Sequence, residues 1–129
     1  MITKLGIADG VADGPPDHFA AQADLIILCT PSARLATTAM SIMPSMKPGA
    51  VLTDVGSVKG HFVDALAGKV REDVHFIPGH PIAGTENSGP ESGFAELFED
   101  RWCVLTPPEG TDETAVAELT TFWENLGSD

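Results

Sequence analysis

A histidine flanked by glycine and proline, Gly79-His80-Pro81, is the first residue in this chain whose type and setting could do chemistry. Imidazole ordinarily titrates near neutral pH, so such a histidine can accept a proton from a reacting hydroxyl, or it can hydrogen-bond the backbone of its own loop. Three further segments concentrate small, polar or conformationally special residues directly after apolar runs. These are Thr30-Pro31-Ser32, Asp54-Val55-Gly56-Ser57 and Thr106-Pro107-Pro108. Each alone could simply begin or cap a helix. Together they place candidate polar groups where an open parallel sheet binds ligands, beyond the carboxyl ends of its strands.

Rival chemistries fail on spacing. A nucleophile elbow needs glycine two residues before the serine, and Val55 stands two before Ser57. Lys59 lacks the glycine-rich context of a phosphate-binding P-loop. No Cys or His pair has zinc-like spacing. His18 and His61 fall in helical segments, and His75 precedes His80 by five residues, so one strand would point the two to opposite faces.

The elements that must position these residues read as alternating strands and helices. Four apolar, β-rich runs stand out: Leu25-Ile26-Ile27-Leu28-Cys29, Ala50-Val51-Leu52-Thr53, Val74-His75-Phe76-Ile77 and Trp102-Cys103-Val104-Leu105. The first is apolar throughout, as a strand buried on both faces would be. Their starts lie 25, 24 and 28 residues apart, about one βαβ unit each. Leu35, Ala36, Ala39, Met40 and Met43 mark one helix, closed by Pro44; Phe62, Val63 and Leu66 mark a second, ended by Gly68. A third is capped by Thr111, carries the stripe Val116, Leu119, Phe122, Trp123 and Leu126, and stops at Gly127. Residues 79–93 read as a long ordered or functional loop. The alternation predicts an α/β fold: a parallel sheet with helices on both faces.

Composition narrows the function classes. The 129 residues suffice for a single domain with one core, and 43% of them are hydrophobic. The net charge of −12 repels phosphate backbones and disfavours nucleic acid as a partner. No run of 18 apolar residues exists, so no membrane span is expected. The N-terminus has no apolar signal core, and Cys29 and Cys103 sit in apolar runs and read as reduced thiols, which together imply a cytoplasmic protein.

The residues then resemble a known family. Ala23-Asp24-Leu25-Ile26-Ile27-Leu28-Cys29-Thr30-Pro31, Asp54-Val55-Gly56-Ser57-Val58-Lys59, Gly79-His80-Pro81-Ile82-Ala83-Gly84-Thr85-Glu86 and Leu105-Thr106-Pro107-Pro108 occur in the order and approximate spacing of the prephenate/arogenate dehydrogenases of tyrosine biosynthesis. The resemblance implies a Rossmann-like doubly wound fold and oxidative decarboxylation of prephenate or arogenate with NAD or NADP. It implies that Ser57 lies beside the nicotinamide and hydrogen-bonds His80, which takes the proton of the substrate ring hydroxyl. Thr30 and Pro31 match the turn flanking the cofactor, and Thr85 and Glu86 match the loop lining or gating the substrate pocket.

Two departures accompany it. Family members begin with a strand, a Gly-x-Gly-x-x-Gly turn, a helix and a second strand, and continue into a helical dimerisation domain whose arginine holds a substrate carboxylate. Residues 1–129 therefore read as a partial dinucleotide-binding domain, inactive alone and binding dinucleotide weakly. Without its first strand, the run at residues 25–28 would leave an apolar edge, and a homodimer through that edge is expected unless residues before Pro15 cover it.

Overall fold

The computed structural model describes residues 2–84, 87 and 89–129. After two short helices, α1 (Ile2–Leu5) and α2 (Asp17–Ala20), strand β1 (Leu25–Leu28) leads through a 3-10 turn into α3 (Leu35–Ile42). Strand β2 (Val51–Asp54), α4 (Gly60–Leu66) and β3 (His75–Phe76) follow. The chain then forms β4 (Gly79–Pro81), β5 (Cys103–Leu105) and α5 (Glu113–Asn125).

β1, β2 and β3 form a parallel sheet in that order, with Leu28 beside Asp54 and Leu52 beside Phe76. Alternation along β2 divides the core. Leu52 packs with Leu28, Leu35, Phe62, Leu66 and Phe76 under α3 and α4. Val51 packs with Ile77, Ala115, Leu119 and Trp123 under α5. Successive side chains point to opposite faces of a strand, so one short apolar strand serves both layers. The α/β architecture with helices on both faces is therefore present.

The fourth apolar run does not join the parallel sheet. β5 pairs antiparallel with β4, a segment that reads as loop from sequence, with His80 opposite Val104 and Pro81 opposite Cys103. A parallel pairing needs a crossover of a dozen or more residues, usually a helix. Between β4 and β5 the described residues hold only a 3-10 turn at Pro90–Ser92, so the chain returns in the opposite sense. Running backwards, β5 carries Thr106 to the Pro78 carbonyl (2.9 Å). Pro108 then lines a cavity with His75 and Phe76, away from the carboxyl ends of β1 and β2. The Thr106-Pro107-Pro108 segment thus leaves the group of strand-end segments.

Asp112, not Thr111, caps α5, accepting from the Ala115 amide at 3.0 Å, while the Thr111 hydroxyl donates to the Pro108 carbonyl. In α3, Ile42 is buried and Met40 is exposed; Pro44 lies in the 3-10 turn that closes that helix. Gly68, at φ +71°, ends α4 as expected, because the left-handed conformation there favours glycine.

Among the described residues only β2 pairs with β1, so the far edge of β1 has no strand partner. Leu25, Ile26 and Ile27 on it are half-buried and uncharged. The 129-residue chain is expected to self-associate through this edge, and Ile27→Lys is expected to weaken that association by introducing a charge. Light scattering at high micromolar concentration checks it: a monodisperse wild-type monomer contradicts the expectation.

Candidate active site at the carboxyl edge of the sheet

Asp54 ends β2 with its side chain fully buried, at 0% exposure. A buried carboxylate must find donors, and this one has three. Its Oδ2 accepts from the Gly56 amide at 2.9 Å and from the Lys59 ammonium; its Oδ1 accepts from the Gly79 amide at 3.1 Å. Gly56 immediately precedes Ser57, and Gly79 immediately precedes His80. The structure therefore gathers Ser57 and His80 at one edge, joined through Asp54. Among the described residues no hydrogen bond links their two side chains, and Asp54 is the group that joins the two segments.

Both glycines are required by close approach. A Cβ on Gly79 would stand 2.9 Å from the Asp54 carbonyl oxygen, and one on Gly56 would stand 2.9 Å from Asp54 Oδ2 and from Leu35 Cδ1. Neither position has room for a side chain.

His80 is partly buried on the β4–β5 hairpin. Cys103 and Leu105, on one face of that hairpin, pack on the Trp123 cluster. The other face carries His80 opposite Val104, with Ile82 and Trp102 joined one pair further along by Ile82 N to Trp102 O at 2.7 Å. Val104, Ile82 and Trp102 are 44%, 54% and 68% exposed, so His80 opens onto an apolar rim. Ser57 itself is exposed to solvent.

Thr30 and Pro31 follow β1 on the same edge. The Thr30 hydroxyl is buried and has no hydrogen-bond partner, and Pro31 opens the 3-10 turn before α3. Thr85 and Glu86 lie outside the described residues. Burial raises the Cys29 thiol pKa, and the nearby Asp54 carboxylate adds to this. Burial likewise pushes Cys103 up to about 11, against smaller lowering effects from a hydrogen bond with the His80 backbone and the Lys59 charge. Both cysteines are free and remain thiols at neutral pH. Among the described residues no group of His, Cys, Asp and Glu could hold a metal ion, and no helix is long and apolar enough to cross a membrane.

A parallel sheet wound with helices on both faces, with polar residues gathered beyond the ends of β1 and β2, defines the dinucleotide-binding class of α/β domains. Within that class the chain belongs to the prephenate dehydrogenase nucleotide-binding domain family, which it matches over residues 3–129. It is 37% identical over 123 residues to the cyclohexadienyl dehydrogenase of Zymomonas mobilis, covering 95% of this chain and 41% of that one. The prephenate dehydrogenase of A. aeolicus, solved in complex with hydroxyphenyl propionate and NAD+, superposes with a TM-score of 0.87 at 32% identity, over 99% of this chain and 44% of that one. The Synechocystis arogenate dehydrogenase gives 0.79 at 35% identity, over 88% and 40%. The chain thus spans less than half the length of these relatives.

Proposed function

We propose that the complete enzyme carrying this chain oxidatively decarboxylates prephenate or arogenate using NAD or NADP, with His80 as the general base. The observation that carries the reading is the placement of His80 beside the Ser57 loop, both tied to Asp54, in a chain of this family. Removing hydride from a carbinol carbon requires a base within about 3 Å of its oxygen. His80 takes the proton of the ring hydroxyl, and loss of the ring carboxylate as carbon dioxide leaves an aromatic product. The exposed apolar rim of Val104, Ile82 and Trp102 suits a carbocyclic ring beside that base.

The residues present fit a nicotinamide cofactor. The unpartnered Thr30 hydroxyl lies on the edge where dinucleotides bind and would pair with a polar group of the cofactor. Thr30, Pro31 and Ser57 would hold the nicotinamide end, which when bound accepts the hydride. Thr85 and Glu86 would line the substrate pocket. The enzyme is read as a cytoplasmic homodimer, the cytoplasmic part in keeping with its two free thiols.

Ser57→Ala in the complete enzyme is expected to lower turnover by roughly 2–10-fold, the worth of one hydrogen bond that its hydroxyl would make to the bound nicotinamide or to His80 in the working complex. Steady-state kinetics check this. A loss as large as that of His80→Asn would make Ser57 more than an orienting group.

A further inference from the structure

We infer that Asp54 is a positioning residue: its carboxylate sets Ser57 and His80 relative to one another by holding the amide that precedes each. The inference rests on the dehydrogenase reading for its consequence in turnover, and on geometry for the tie itself.

Two strands carry the reacting edge, and no hydrogen bond joins the side chains of Ser57 and His80. What spans them is one carboxylate, with Oδ2 on the Gly56 amide and Oδ1 on the Gly79 amide, 25 residues apart along the chain from Asp54 to Gly79. The group is fully buried, so water cannot replace either partner. Lys59 neutralises it from the start of α4, with 17% of its own side chain exposed, and fixes the carboxylate plane by engaging Oδ2. Gly56 and Gly79 both approach Asp54 more closely than any residue with a Cβ could. A carboxylate held from three directions has little freedom to rotate, so the two amides are held at one separation. Asparagine, with a single acceptor oxygen, can satisfy one amide but not both.

Catalysis is sensitive to such a change, because a displacement of about 1 Å at a reacting group can cost about 10²-fold. Asp54→Asn in the complete enzyme is expected to lower kcat by roughly 10–100-fold, with the KM for dinucleotide raised by no more than a few-fold through Ser57. Repeated in a His80→Asn background, the same substitution is expected to cost several-fold less, since there is no longer a base to misplace and only the share carried by Ser57 remains. A role confined to fold stability would instead give the same loss in both backgrounds, and that result overturns the inference.

A second measurement needs no substitution. In the unmodified 129-residue chain, through-hydrogen-bond NMR couplings are expected from the Gly56 and Gly79 amide nitrogens to the Asp54 carboxylate carbon. Absence of the Gly79 coupling overturns the tie. The couplings test Asp54 whether or not the assigned reaction holds; an inactive unsubstituted enzyme would refute the reaction alone.

Discussion

Replacing His80 by asparagine in the complete enzyme is expected to lower turnover by roughly 10²–10⁴-fold, the usual worth of a positioned general base. Asparagine keeps a polar side chain on the β4 position opposite Val104 but cannot take up a proton at neutral pH. The hairpin should survive, because its packing onto α5 is carried by the opposite face, through Cys103 and Leu105. Binding of the dinucleotide should change little, as the residues assigned to it lie after β1 and β2. Steady-state kinetics at neutral pH measure the effect. Turnover near that of the unsubstituted enzyme would remove His80 from the mechanism.

The second large effect is on stability. Trp123 is 4% exposed and packs edge-on against Phe98 and Phe122, with ring centroids 5.2 and 5.4 Å away. It is the largest member of the cluster through which α5 covers Val51 and Ile77. Trp123→Ala removes that contact and leaves a cavity that the two neighbouring rings cannot fill, so a loss of about 3–5 kcal/mol is expected. Among the described residues the indole N–H has no partner, so the substitution strands no hydrogen-bond acceptor. Urea denaturation of the 129-residue chain measures it. A loss below about 1 kcal/mol would mean that α5 is not anchored through this residue.

Much of the fold was legible because local and tertiary preferences agree. The unbroken apolar run at Leu25–Leu28 is a strand covered by helices on both faces, with Ile26 packing to one side and Leu25 to the other. The stripe of α5 correctly placed Leu119 and Trp123 in the core. What misled was β4. Glycine and proline at residues 79 and 81 argue against a strand, and only the partner β5 makes one there. Without β4 the fourth apolar run has no evident partner except the parallel sheet, which would put Thr106-Pro107-Pro108 at the carboxyl edge; the antiparallel pairing puts it at the other end.

The candidate site divides in the same way. Ser57 and His80 were visible as residue types in suggestive settings, and the structure brings their segments to one edge. The part played by Asp54 was not visible. Its contact with Gly56 is local, but its contact with Gly79 exists only once β3 has paired with β2. A buried aspartate at the end of an apolar strand, followed two residues later by glycine and five later by lysine, is the one sequence signal that could have found it.

The central claim is tested most directly by offering prephenate and arogenate, each with NAD and with NADP, to the complete enzyme carrying this chain. The readout is reduced nicotinamide together with the carbon dioxide released. Turnover with at least one pairing, giving the two in equal amounts, is the predicted result. Cofactor reduction without decarboxylation, or no turnover with any pairing by a folded enzyme, would contradict it.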